Sequence, residues 1–127
     1  MGKGRVMELA MTEKGDVKLL HFIGKISSTG SVQMADMIAA FSKSEYKKIV
    51  IDFTKTSFID TVGISKLVES CKKIQNSEKE LAIVAEGAIR QLFFDIYFNR
   101  LFEIADSLDK ALQGNSSTPI APAPRVK

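Results

Sequence analysis

Residues 49–70 read IVIDFTKTSFIDTVGISKLVES. The opening run, Ile49-Val50-Ile51, is apolar with no period of two, which fits a strand covered on both faces. From Ile64 onward the period changes. Ile64, Leu67, Val68, Cys71 and Ile74 fall on one face of a helix, while Lys66, Glu69, Ser70, Lys72 and Lys73 take the other. Between the two patterns stand an apolar pair, Phe58-Ile59, then Asp60-Thr61, then Gly63. An acid and a hydroxyl at the start of a helix have two readings. The first is a cap, in which a side-chain oxygen accepts an N–H of the first turn. The second is a hydroxyl held out for phosphorylation. The first N–H groups of a helix lack internal partners and the helix dipole adds positive charge there, so a phosphate on Thr61 sits in a favourable field. The readings are compatible: the Asp60 carboxylate can cap the helix while the Thr61 hydroxyl stays accessible. Gly63 lets backbone or a partner approach closely at the first turn.

Outward from this stretch, strand and helix patterns alternate. Residues 5–12 alternate, with Met7, Leu9 and Met11 on one side, and 17–26 form a second strand. The intervening EKGD, 13–16, reads as a turn, so the chain opens with a hairpin. SSTGS, 27–31, is a polar loop with Ser31 as N-cap of a helix over about 32–43, marked by Met34, Met37, Ile38 and Phe41. ELAIVAE, 80–86, is another buried strand, and Ile89, Leu92, Phe93 and Ile96 define a third helix. Phe102, Ile104 and Ala105 suit a short strand before a short helix through Leu112. From Gly114 the sequence GNSSTPIAPAPRVK is rich in Pro and Ser and aperiodic, which predicts a disordered tail over 114–127 beyond a single domain over 1–113. The order β-β-α-β-α-β-α-β-α predicts an α/β fold. Its sheet is mixed but mostly parallel, opened by a β-hairpin and packed against helices.

The composition narrows the function classes. The 127 residues, 45% hydrophobic and 26% charged, suit one soluble domain with a real core. The net charge of +3 comes from scattered Lys and Arg, with no basic block interleaved with aromatics, so nucleic acid is not an expected partner. A single cysteine excludes an internal disulfide and a thiolate metal cluster, and fits a reducing, cytoplasmic setting. No apolar run approaches the roughly 18 residues of a membrane span, so membrane insertion is not expected. MGKGRVMELA lacks the apolar core of a secretory signal, and Val6 stands where myristoylation needs Ser or Thr.

At this point the residues resemble a known family. IVIDFTKTSFIDTVGISKLVES is similar to the signature of the STAS domain of bacterial anti-sigma-factor antagonists: a buried strand ending in Asp, a loop, an apolar residue, then Asp-Ser-(small)-Gly opening a helix. Asp52 ends the strand here, and Asp60-Thr61-Val62-Gly63 fills the motif. HFIGKIS, with Gly24, resembles the family's second strand, and IRQLFFDIYFNRLFEIADSLDKAL its closing segment, so the likeness covers roughly residues 5–112. Two positions depart from the pattern. Thr61 replaces the usual Ser, and Gly24-Lys25-Ile26-Ser27 replaces a pattern like Gly-Glu-Ile-Asp, with one charge reversed.

The resemblance implies a phosphorylation-switched binding module without enzymatic activity. Its unphosphorylated form binds an anti-sigma factor that is also a Ser/Thr kinase, and a sigma factor is freed. Phosphorylation of Thr61 ends binding and a phosphatase resets the switch. The implied partner surface is Ser27, Ser28, Asp60, Thr61, Val62, Gly63, Ser65 and Lys66, with Asp60 also as helix cap. No cofactor or metal is expected, since ATP belongs to the partner. The alternative is a non-phosphorylated accessory subunit or scaffold of a membrane transporter or signalling complex. Other candidates carry less. His21, the one histidine, has no acid or nucleophile nearby in sequence and reads as structural. Cys71 reads as a small core residue, and Asp52 as a strand-end acid that orders the following loop. The cluster Phe93, Phe94, Tyr97, Phe98 and Phe102 reads as a wide core face, or else as a patch for a homodimer or an attached partner.

Overall fold

The computed structural model describes residues 7–113. The proposed tail, 114–127, lies outside them, as do the first residues of the opening strand. The described residues form a sheet with helices on both faces. In chain order they are β1 (Glu8–Lys14), β2 (Val17–Ile26), α1 (Thr29–Ala40), β3 (Lys48–Asp52), β4 (Thr56–Ile59), α2 (Thr61–Asn76), β5 (Glu80–Val84), α3 (Gly87–Asp95), β6 (Ile104–Ala105) and α4 (Leu108–Gln113). Short 3-10 turns follow α1 at Phe41–Lys43 and α3 at Phe98–Arg100.

β1 and β2 make the expected antiparallel hairpin, with Lys14 opposite Val17 and Gly15 in the turn at φ 61°. A left-handed φ at that position is what glycine supplies without steric cost. All other pairings are parallel, and the order across the sheet is β1-β2-β3-β5-β6, with β4 paired to the end of β2. Every residue of β3 is buried. Ile49 and Ile51 point into the larger core with Leu20, Phe22, Ile26, Met34, Ile38, Leu67, Cys71 and Ile74. Val50 points the other way, to Leu19, Ala82, Val84, Ala105 and Ala111, where Leu108 and Leu112 of α4 pack. An apolar run without alternation is thus what a strand covered on both faces requires.

A chain of rings ties the closing segment to this core. Phe22 stacks on Phe53 at 5.8 Å, Phe53 meets Phe93 at 5.7 Å, Phe93 stacks on Phe98 at 4.7 Å, and Phe98 meets Phe102 at 4.9 Å. Such pairs contribute about 0.5–1.5 kcal/mol each beyond their buried area. The core reading therefore holds for Phe93, Phe98 and Phe102. Phe94 is half-buried, and Tyr97 is 64% exposed at φ 63°.

Four details differ from the sequence expectation. α1 starts at Thr29, so Ser31 sits inside its first turn and is not its N-cap; that position falls to Ser28, at φ 53°, with no side-chain cap bond. The helix ends at Ala40 and only a 3-10 turn carries the pattern to Lys43. β4 was not expected, because four residues with a polar start give too little pattern; its partner, Gly24–Ile26, lies far back in the chain and shifts register between Gly24 and Lys25. Ile96 lies just past the end of α3 and is exposed.

Candidate functional site

The parallel strands all point their carboxyl ends the same way, and the loops that follow them gather the site residues there. This is the edge at which α/β sheets characteristically present binding groups. β4 ends at Ile59, Asp60 follows in an extended conformation (φ −81°, ψ 174°), and α2 begins at Thr61. The backbone N–H of Asp60 donates to the carbonyl of Ile26 at 3.1 Å, which fixes the start of α2 to the end of β2.

The Asp60 side chain joins two helices. Its Oδ1 accepts the Gly63 N–H at 2.6 Å, the expected cap of α2, and also the Ser31 hydroxyl at 2.7 Å. Its Oδ2 accepts the Ser28 N–H at 3.1 Å. One carboxylate therefore caps its own helix and ties the first turn of α1. The Ser31 hydroxyl, with the Gly63 and Ser28 N–H groups, holds the Asp60 carboxyl below the ordinary carboxylate value, against the opposing effect of burial. Gly63 fits because it has no side chain. A Cβ there would lie 2.8 Å from Ile59 Cγ2, and 3.1 Å from both Asp60 Oδ1 and Ser31 Oγ.

With Asp60 turned inward, the residues beside it face out. Thr61 is exposed at the first position of α2, and Val62 is 50% exposed. Ser65, one turn on, is exposed as well, while Lys66 is half-buried and lines a shallow groove against α1 with Asp36, Glu69 and Lys73. Ser28 is exposed and Ser27 half-buried. Ser28 thus joins the Asp60 corner through its N–H, Ser27 precedes it and accepts the Gly30 N–H at its carbonyl, and Gly63 supports the corner as a buried residue. Two members were missed from sequence. Ser31 contributes its hydroxyl to Asp60 instead of capping its own helix. Phe58 is 45% exposed beside the site, with the Lys25 ammonium 5.7 Å from its ring centre. Thr56 and Ile59 are buried while Ser57 and Phe58 face out, so β4 does not follow a simple alternation and its sequence carries no signal for an outward Phe58.

A family model described as the STAS domain matches residues 8–111. The chain belongs to the STAS-domain family. Its fold is that of an anti-sigma-factor antagonist from Mycobacterium paratuberculosis, with a TM-score of 0.75 at 21% identity over 84% of this chain and 91% of that one. The antagonist SpoIIAA in its unphosphorylated form superposes with a TM-score of 0.63 at 12% identity, covering 84% of this chain and 94% of the other. The phosphorylated form of the Bacillus protein SpoIIAA gives 0.62 at 14% identity, over 84% and 96%. At these identities the likeness establishes the shared fold.

Elsewhere in this STAS domain, His21 is less isolated than its sequence neighbours suggested. Its Nδ1 lies 2.7 Å from Asp52 Oδ2, and its Nε2 lies 2.9 Å from the Thr12 hydroxyl oxygen. Asp52 also performs the expected loop-ordering role, since its Oδ1 accepts the Thr54 N–H at 2.8 Å. Cys71 is fully buried, and burial pushes its thiol far above the ordinary value. Among the described residues no cluster of His, Cys, Asp and Glu has the makings of a metal site, and no helix is long and apolar enough to cross a membrane.

Proposed function

We propose that this STAS domain is a phosphorylation-switched protein-binding module of the anti-sigma-factor antagonist type, with Thr61 as phosphoacceptor. In its unphosphorylated form it binds an anti-sigma factor that is also a Ser/Thr kinase, and a sigma factor is released. Phosphate on Thr61 ends that binding, and a phosphatase restores it. The surface involved is Ser27, Ser28, Asp60, Thr61, Val62, Ser65 and Lys66, supported by Gly63.

The observation that carries this reading is the exposure of Thr61 on the first turn of α2, beside a carboxylate already engaged by three donors. A kinase reaching Thr61 does not have to dismantle the cap. The added phosphate brings close to two negative charges and three acceptor oxygens. The helix dipole tolerates it within the free protein. A partner packed on Val62 and Phe58 would have to desolvate it, and like-charge or unpaired contacts of this kind cost several kcal/mol. The switch therefore works by local charge, with the fold intact. Family membership and the fold shared with SpoIIAA, whose phosphorylated form is among the similar structures, support the reading.

Phosphosite mapping by mass spectrometry on protein from its native cells, beside a Thr61→Ala version, tests it. Phosphate on Thr61, absent from the variant, supports the switch. Thr61 unmodified across growth and stress conditions overturns it and leaves the corner as a constitutive docking surface.

A further inference from the structure

Thr12, His21 and Asp52 come from three adjacent strands and meet on the sheet face that carries α4. The β1–β2 register sets Thr12 opposite Leu19, so His21, two residues along, is its diagonal neighbour on the same face. The β2–β3 register sets His21 opposite Asp52. Strand pairing alone thus brings together a hydroxyl, an imidazole and a carboxylate, and the side chains bond in that order. Asp52 is 4% exposed and held at both oxygens, by His21 and by the Thr54 N–H. A carboxylate against Nδ1 places the ring proton there and leaves the Nε2 lone pair facing the Thr12 hydroxyl. Thr12 itself is exposed, on the outermost strand of the sheet.

A hydroxyl bonded to an imidazole that is itself oriented by a buried carboxylate is the arrangement that activates an oxygen nucleophile, and it is recognised by geometry and role. We propose that Thr12, His21 and Asp52 form a second chemical site, in which Thr12 accepts an acyl group from a small activated ester. Thr12 Oγ1 bonds to the carbonyl carbon as His21 Nε2 takes the hydroxyl proton. The tetrahedral adduct then breaks its bond to the leaving oxygen, which departs with that proton from His21. An acyl ester remains on Thr12. Water, with His21 again as base, releases the carboxylic acid and restores the hydroxyl. β1 is an edge strand, so the N–H groups on its free side are open to the developing oxyanion. Among the described residues Thr12 is exposed and His21 half-buried, so the relay stands near the surface, which favours small acyl groups and slow turnover. The proposal is independent of the Thr61 switch, since none of its three residues belongs to the Thr61 surface.

The test is the full chain incubated with p-nitrophenyl acetate, followed by nitrophenolate release and by peptide mapping. The expected result is a burst approaching one equivalent and an acetyl group on Thr12. Thr12→Val abolishes the adduct and Thr12→Ser retains it; the position is exposed, so neither variant threatens folding. His21→Gln slows acylation about a hundredfold or more, the usual contribution of a general base. Asp52 acts as a positioning residue. In Asp52→Asn the amide oxygen still accepts from Thr54, but its NH2 donates to Nδ1 and moves the ring proton to Nε2, where it blocks the base. That variant keeps its circular dichroism and loses its burst. Acetylation confined to lysines, or Thr12 labelled at the same rate with and without His21→Gln, overturns the proposal.

Discussion

Replacing Gly63 by alanine tests the packing of the Asp60 corner directly. The new Cβ would stand 2.8 Å from Ile59 Cγ2, closer than carbon atoms approach, and 3.1 Å from Asp60 Oδ1 and Ser31 Oγ. Ile59 is 5% exposed, and the methyl concerned branches directly from its Cβ, so it has little freedom to swing away. Overpacking of this kind costs about 1–3 kcal/mol. If Asp60 is pushed aside, loss of its cap adds about 1 kcal/mol. Against this, alanine in a helix gains up to about 1 kcal/mol over glycine. The balance is a loss of about 2 kcal/mol, which lowers Tm by about 8 °C for a domain of this size. Thermal melts and urea unfolding measure it. Gly87→Ala supplies the contrast, because Gly87 sits at φ 60° with nothing within 4 Å of a Cβ, so its cost is backbone strain alone, about 1 kcal/mol. A Gly63→Ala protein as stable as the parent would refute the reasoning, since propensity would then have outweighed a clash that was not there.

Three further outcomes follow from neighbouring features. The Asp60 carboxyl is held below its ordinary value of 3.8, so the stability it contributes is fully present above that pH and is lost as pH falls through the lower folded value. Acid unfolding of the parent should therefore lose a contribution below about pH 4 that Asp60→Asn never had; identical acid limbs would contradict the three-donor geometry. Cys71 should resist Ellman's reagent in the folded protein and react only on unfolding, because burial disfavours its thiolate; labelling at the rate of a free thiol would refute its placement. Tyr97→Gly should raise the unfolding free energy by about 0.5–1 kcal/mol, read as a higher urea midpoint, through relief of a left-handed backbone at an exposed residue; a loss would mean that the Tyr97 ring, with Arg100 5.1 Å from its centre, contributes more than the strain costs.

What the sequence disclosed and what it hid divide along chain separation. The opening hairpin, the two-sided burial of Ile49–Ile51 and the Asp60 cap rest on contacts within a few residues or on a simple period, and each was readable. The start of α1 was misplaced because its first turn is tied by Asp60, some thirty residues away, and no local pattern announces a cap lent by another helix. β4 escaped for the same reason, since its strand character depends on a partner at the end of β2. His21 looked solitary because Thr12 and Asp52 reach it only through strand register. Helical spacing separates Phe93 from Phe94 within α3, but Tyr97 and Phe98 are told apart only by the turn after that helix.

The spatial order of the main sheet, β1-β2-β3-β5-β6, follows the order of synthesis. Each strand on this path finds its neighbour already made as it leaves the ribosome, and adds to the most recent edge. β2, with β1, β3 and β4 as partners and α1 packed on it, is complete once Ile59 has emerged. Strands β5 and β6 extend a sheet that already exists. No strand on this path has to wait for a later one to be threaded between it and its neighbour. A parallel sheet is slow to form when its pairings are remote; here the chain's own direction of growth supplies the pairings in sequence, one edge at a time.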